Sequence, residues 1–334
     1  MDTSDGALMH RVYLPNDLLT LSVLLHSDGS ADRALLGSVA EIIEKTDLNR
    51  LSEIFCAPSL QMASLTITEK GYTSEGTPRL IAGLLYERFR AGAFPIALVS
   101  MDNCSQNGEK LKSAVLAAAN DEPAFRDYLE SRVAFPWTMI DKITPRPDAK
   151  VQQMLADDGF EDNYTIVTEK HTFTAPFVNA EETQYLCIED HYTNGRPPLE
   201  LGGVLYCDRE TVDKIEKMKV CTCLNPLHTA MSIYGCMLGY TLISAEMADE
   251  DLRSFIQKIG YIEAMPVVVD PGVLNPYEFI GAVINRRLPN PFMPDAPQRI
   301  ATDTSQKLAI RFGETIKAYE ARGLDKSNLI LIPL

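Results

Sequence analysis

Phe94-Pro95-Ile96-Ala97-Leu98-Val99-Ser100-Met101-Asp102-Asn103-Cys104-Ser105-Gln106-Asn107-Gly108 is an apolar run that stops in a burst of small polar residues. The run predicts a buried strand. Open α/β sheets keep their ligand sites at the carboxyl ends of such strands. Upstream, Met62-Ala63-Ser64-Leu65-Thr66-Ile67 ends the same way, in Thr68-Glu69-Lys70-Gly71-Tyr72. Between them, Pro78 suits the first turn of a helix that Leu80 to Phe89 continue. Strand, helix and strand with two polar ends predict a parallel, helix-covered sheet with one crevice.

Outward from this unit, apolar spacing predicts helices at residues 34–44, 48–55, 108–119 and 122–131. Tyr164 to Thr168, Tyr185 to Ile188 and Leu201 to Cys207 read as strands, separated by Asn194-Gly195 and Pro197-Pro198. Beyond Cys207 the pattern is mostly helical, with Asp208 a good N-cap for a helix from Arg209 to Lys219. The fold class is α/β: a parallel-sheet domain with a β-rich extension over residues 1–207, then a mostly α-helical domain over 208–334. No internal repeat is present.

The formal charge of −15 argues against nucleic acid and anionic membrane surfaces as partners. It leaves room for an anionic small molecule, because a local pair of arginines can offset the global field. No apolar run reaches the roughly eighteen residues of a membrane span. Met1-Asp2-Thr3-Ser4-Asp5-Gly6 has neither a basic nor an apolar leader region. Seven cysteines scattered through apolar stretches fit a reducing cytoplasm.

Val212, Ile215 and Met218 form an apolar stripe, with Glu216 one helical turn before Lys219. That spacing makes a solvated ion pair. It is also compatible with a lysine at a cleft floor, whose pKa burial would lower toward that of a general base. In Asn225-Pro226-Leu227-His228, proline pushes Asn225 out of the α region. Asn225 is then the N-cap, Pro226 the first helical residue and His228 the third. Capping and core packing account for Asn225 and His228 singly. A Lys, an Asn and a His within ten residues, at a break between helices, point to a site. Cys221-Thr222-Cys223 reads as small core residues, since no second cysteine pair lies at zinc spacing. Neither GxGxxG, GxxxxGK[ST] nor GxSxG occurs. Asp141, ringed by apolar residues, needs a buried partner, and Trp137 reads as packing of a proline-bounded loop.

These pieces together resemble the polyol-specific long-chain dehydrogenases, the mannitol dehydrogenase family, and within it the fructuronate reductase branch. The matching pieces run in family order. They are Thr68-Glu69-Lys70-Gly71-Tyr72, Ser100-Met101-Asp102-Asn103 with Asn107-Gly108, Phe135-Pro136 with Met139-Ile140-Asp141, and Ile188-Glu189-Asp190. Lys219, Asn225, His228, Arg287-Leu288-Pro289-Asn290-Pro291 and Arg299-Ile300-Ala301 follow. The resemblance covers nearly the whole chain.

It implies a Rossmann-like first domain and a metal-independent, NAD-linked hydride transfer between a ketose-type carbonyl and its secondary alcohol. Lys219 would be the general acid–base. Asn103 and Asn225 would donate to the reacting oxygen, as in an oxyanion hole, and His228 would orient hydroxyls. Asp141 and Glu216 would serve the lysine's electrostatics, and Arg287 would clamp the substrate. Thr68, Glu69, Lys70, Ser100 and Asp102 would face the cofactor. The substrate would be a sugar acid or a polyol, with fructuronate favoured over tagaturonate or mannitol.

Two departures from the family pattern carry expectations. Lys219 lies six residues before Asn225, where the family has five. An extra residue rotates a helical side chain by about 100°, so a π-bulge or break is expected between Val220 and Leu224. The family's opening strand and glycine-rich turn are also missing, so the Rossmann-like sheet is expected to be incomplete. The chain ends in the apolar Ile330-Leu331-Ile332-Pro333-Leu334, where the family continues with helices. An internal piece of a longer protein, or a shortened homologue, is therefore expected, with NAD against NADP left open. A non-catalytic fragment and a cysteine metal protein are the readings from other classes.

Overall fold

The computed structural model describes residues 1–4, 6–169 and 171–332, so the last two residues of the Ile330–Leu334 run lie outside it. The strands and helices run β1 (Thr20–Leu25), β2 (Ala31–Leu36), α1 (Leu48–Cys56), β3 (Met62–Leu65), α2 (Thr77–Gly92), β4 (Ile96–Ser100), α3 (Asn107–Ala118), α4 (Pro123–Arg132), β5 (Val133–Ala134), β6 (Thr138–Asp141) and α5 (Ala149–Asp157). They continue with β7 (Ile166–Val167), β8 (Phe173–Thr174), β9 (Phe177–Glu181), β10 (Tyr185–Glu189), β11 (Leu205–Cys207), α6 (Arg209–Met218), α7 (Asn225–Leu238), α8 (Ile243–Glu246), α9 (Glu250–Gln257) and α10 (Pro276–Ala282). Further helical segments, among them a contiguous run from Thr304 to Ala321, follow to Asn328.

The expected crevice unit is present. β3, β4 and β5 form a parallel sheet, with β4 central and all five of its residues buried. A strand buried on both faces and apolar from Ile96 to Val99 is what a helix-covered parallel sheet requires. Leu85, Leu98, Leu111 and Phe125 fill the core between the sheet and α2, α3 and α4. α2 starts with Pro78 in its first turn, as expected. The fold is a Rossmann-like parallel sheet followed by a helical half, whose core centres on Ile215, Leu227, Ile256 and Ile280.

Gly108 fixes how closely α3 approaches the chain after β5. A Cβ there would lie 2.6 Å from the Phe135 carbonyl oxygen and 2.7 Å from that of Pro136. Both are backbone atoms and cannot swing aside. Gly108→Ala is therefore expected to cost about 1–3 kcal/mol as an overpacking substitution, read as a lowered thermal midpoint.

Three sequence expectations are corrected. Residues 34–44 are not a helix. Ala31–Leu36 forms β2, antiparallel to β1 with Ser22 opposite Ala34, and residues 37–43 are extended or irregular. The hairpin closes through Asp28-Gly29, with Gly29 at φ 88 and His26 donating its backbone N–H to Ser30. An Asp-Gly pair between strand-like runs is a strong hairpin signal; it outweighs the helical spacing of Ala34 to Glu44. Residues 164–168 shorten to β7, half of a small hairpin with β8. Leu199–Gly202 is a 3₁₀ turn, so the third strand begins at Leu205, not Leu201.

Between α7 and α8, Glu246 is fully buried and neither carboxyl oxygen has a hydrogen-bond partner among the described residues. Its neighbour is Gly235, where a Cβ would come within 1.9 Å of the carboxyl. Burial raises the Glu246 pKa from 4.5 to about 7. The folded chain then holds a proton that the unfolded chain releases above pH 4.5. Stability from this residue is complete below that pH and falls as pH rises through 7. Glu246→Gln is neutral at every pH and is expected to remove that fall, worth roughly 3 kcal/mol. Denaturant melts of both proteins at pH 5 and pH 8 check it.

Candidate active site

The polar end of β4 is a knot of side chains. Asp102 accepts hydrogen bonds from the backbone N–H of Ile67 at 2.9 Å and of Thr68 at 2.8 Å, and from the Tyr72 hydroxyl at 2.7 Å. It thereby ties the end of β3 to the end of β4. Thr68 is held at φ 59, a conformation non-glycine residues rarely adopt. Ser100 is fully buried, its hydroxyl 2.5 Å from that of Tyr72. Asn107 donates to the Asp102 and Thr138 carbonyls and accepts from the Thr138 N–H, joining β4 to β6.

Ser100 and Asp102 build the crevice wall, their side-chain oxygens bonded to Tyr72 and to the Ile67 and Thr68 backbone. Thr68, Glu69 and Lys70 are exposed at the rim, where Glu69 lies 3.5 Å from Lys110. An open groove lined by Glu69, Tyr72, Gln106 and Lys110 runs beside α3 from there.

Lys219 reaches this knot from the helical half. Asp208 caps α6 by accepting from the Thr211 N–H, and Val212, Ile215 and Met218 bury one face of the helix. The chain then enters a π-turn over Lys219–Cys223, closed by the Leu224 N–H donating to the Lys219 carbonyl. The register change expected between Val220 and Leu224 is thus present. The helix break falls one residue earlier than read from sequence: Leu224, at φ −128 and ψ −64, is the N-cap, and Asn225 is the first residue of α7. The wide π-turn carries helical geometry to Cys223, so the break lands on Leu224, and His228 is the fourth helical residue.

The Lys219 side chain is 2% exposed. Its ammonium donates to Asn103 Oδ1 at 2.9 Å and to the Ile140 carbonyl at 2.9 Å, with Asp141 Oδ1 at 3.5 Å. Because Asn103 Oδ1 receives the lysine, its amide N–H₂ is left to donate elsewhere. Burial pushes the Lys219 pKa down, and Asp141 opposes that push. Glu216 acts on Lys219 only as a more distant charge. The i, i+3 ion pair suggested by spacing does not form, because Lys219 turns inward to β6.

Asp141 holds a second cation: Arg287 Nη1 lies 2.5 Å from Asp141 Oδ2, and Arg287 Nη2 lies 3.2 Å from Glu181 Oε1. Lys219, Asp141, Arg287 and Glu181 thus form one buried chain of alternating charge. Burial raises the Glu181 carboxyl to about 7, with Arg287 opposing. Arg287, read from sequence as a substrate clamp, already serves two protein carboxylates.

Beside it lies a small cavity lined by Ile143, Leu224, His228, Arg287, Met293 and Asp295. His228 Nε2 is buried without a hydrogen-bond partner, 3.6 Å from Asp295 Oδ2. Burial lowers the His228 pKa to about 4, so the imidazole is neutral near pH 7 and this contact is not an ion pair. Asn225 is half-buried, and its carboxamide has no hydrogen-bond partner among the described residues.

Glu181 and Asp295 escaped the sequence reading. Glu181 carried a signal: Phe177, Asn179 and Glu181 alternate along one strand and all are buried, so a carboxylate continues an inward-facing row. Among the described residues no group of three His, Cys, Asp or Glu side chains could hold a metal ion, and no helix is long and apolar enough to cross a membrane.

Comparison with known proteins shows the family of the two halves. The mannitol dehydrogenase Rossmann domain matches residues 16–198, and the mannitol dehydrogenase C-terminal domain matches residues 211–332. D-mannonate oxidoreductase of Thermotoga maritima is 50% identical, over 99% of this chain and 68% of that protein. Mannitol dehydrogenase 2 of Saccharomyces cerevisiae is 31% identical, over 82% of this chain and 57% of that protein. The chain therefore spans about two thirds of the first relative and just over half of the second. Among solved structures, substrate-free D-sorbitol dehydrogenase aligns with a TM-score of 0.84 at 23% identity, covering 98% of this chain and 70% of that one. Pseudomonas fluorescens mannitol 2-dehydrogenase, in complex with NAD and D-mannitol, aligns with a TM-score of 0.71 at 23% identity, covering 95% and 67%.

Proposed function

We propose, from the premise that this chain belongs to the mannitol dehydrogenase family, that it interconverts a keto-hexuronate and its aldonate, fructuronate and mannonate, with a nicotinamide dinucleotide. The observation that carries this reading is the buried Lys219 amine in hydrogen-bonding contact with Asn103 at the carboxyl end of β4. The 50% identity to a D-mannonate oxidoreductase supports the substrate class.

The polar crevice at the ends of β3 and β4 suits a dinucleotide, since ligands of open α/β sheets bind there. Thr68, Glu69 and Lys70, exposed at its rim, would hold it. When bound, NAD supplies hydride acceptance and NADH hydride donation.

The residues of the chain supply the proton and the orientation. In alcohol oxidation a neutral Lys219 accepts the hydroxyl proton, and in ketone reduction its ammonium returns it. The Asn103 and Asn225 amides donate to the reacting oxygen and stabilise charge as it builds. Asp141 keeps the amine oriented, while Arg287 and Glu181 hold Asp141. Glu216 contributes at longer range. Neutral His228, in the adjoining cavity, orients substrate hydroxyls. The substrate is a small sugar acid, supported by the identity to a D-mannonate oxidoreductase; a polyol is the second choice, since Arg287 is engaged by two carboxylates and is not a free clamp for a substrate acid. The division into units at residues 1–207 and 208–334 puts Lys219 on one unit and Asn103 on the other. Seven free thiols suit a cytoplasmic setting.

Side-by-side assays of fructuronate, tagaturonate and fructose with NADH test the reading. Fructuronate is expected to give the highest kcat/KM. A preference for fructose would move the assignment to the polyol branch. Calorimetry with NADH separates the non-catalytic alternative, for which no saturable binding is expected.

A further inference from the structure

Two cysteines outside the site lie against each other. Cys187 on β10 and Cys207 on β11 have their sulfur atoms 2.7 Å apart. That is nearer than two sulfurs in simple contact, and wider than the bond length of about 2.05 Å. The two strands are parallel neighbours, with Cys187 opposite Leu205 and Glu189 opposite Cys207. Cys187 is fully buried and Cys207 half-buried, so only the second meets solvent.

We infer that Cys187 and Cys207 are a reversible disulfide site, closed by a low-molecular-weight disulfide such as oxidised glutathione. The asymmetry of the pair sets the order of events. The two thiols share one hydrogen bond; it pushes the Cys207 pKa down, and with burial it pushes that of Cys187 up. Cys207, half-buried where Cys187 is fully buried, is thus the sulfur that a dissolved disulfide reaches first.

Its sulfur attacks one sulfur of glutathione disulfide and expels one glutathione thiolate, leaving a mixed disulfide on Cys207. Cys187 then loses its proton to the released thiolate and attacks the Cys207 sulfur, expelling the second glutathione as a thiolate that takes up the proton Cys207 had released to solvent. The protein gains one sulfur–sulfur bond and loses two hydrogens, and one glutathione disulfide becomes two thiols. The link would join β10, which pairs with the Asp141 strand, to β11, which leads directly into α6 and Lys219.

Peptide mapping of the full chain, equilibrated in reduced and oxidised glutathione and trapped by alkylation, tests this. The expected result is a linked Cys187–Cys207 peptide pair lighter by about 2 Da than the two free peptides. Cys56, Cys104, Cys221, Cys223 and Cys236 should remain alkylated, and dithiothreitol should reverse the link. Cys207→Ser, at the half-buried position, should abolish the link and leave Cys187 unglutathionylated. Stable glutathione on Cys207 with no link, or equal alkylation of all seven thiols at every ratio, would overturn the inference.

Discussion

Lys219→Ala should retain NADH binding and lose about two to four orders of magnitude in kcat for fructuronate reduction. The factor is the range that a positioned proton donor contributes. The side chain removed is the one that donates to Asn103 Oδ1 and to the Ile140 carbonyl. Its loss takes away the proton source but not the crevice wall, which Asp102 and Asn107 hold independently. KM should therefore change far less than kcat. Steady-state kinetics and a fluorescence titration with NADH measure the two effects separately. An equal loss in binding and turnover would assign Lys219 a structural role.

Asp141→Ala is expected to have the largest effect on stability. Asp141 is 3% exposed and faces two buried cations, Lys219 and Arg287. Breaking a buried pair by removing one partner costs about 3–5 kcal/mol, because the remaining charge is left uncompensated. Here two charges are left, and Glu181 faces only Arg287. A fall in the thermal midpoint on the order of 10 °C is expected. Asp141→Asn keeps the shape and removes only the charge. It should lower the Lys219 pKa further, since the Asp141 charge is the main influence raising it. The asparagine variant should thus oxidise mannonate with its pH profile displaced to lower pH, a displacement that a purely structural aspartate would not cause.

The parallel-sheet unit was legible because β4 is apolar from Ile96 to Val99 and ends abruptly in polar residues from Ser100 on. The turn after α6 was legible for a covalent reason: one residue beyond the family spacing has to be absorbed, and the π-turn at Lys219–Cys223 absorbs it. The hairpin of β1 and β2 was missed because apolar residues between Ala34 and Glu44 mimic helical spacing, while Asp28-Gly29 was given no weight. The direction of Lys219 was not legible. Spacing placed Glu216 beside it, but whether a side chain leaves its helix toward solvent or toward a neighbouring strand depends on β6, which sequence separates from it by nearly eighty residues. Ser100 and Asp102 were recognised as belonging to the crevice, yet their burial depends on Tyr72 and on the backbone of Ile67 and Thr68 folding back over them.

The pH dependence of kcat/KM for mannonate oxidation tests the Lys219 assignment most directly. A buried lysine acting as base requires the neutral amine. The rate should rise with pH through a single ionisation lying below the ordinary lysine value of 10.5. A profile that is flat from about pH 6 to about pH 10, or one that falls as pH rises, would contradict a lysine base at the end of β4.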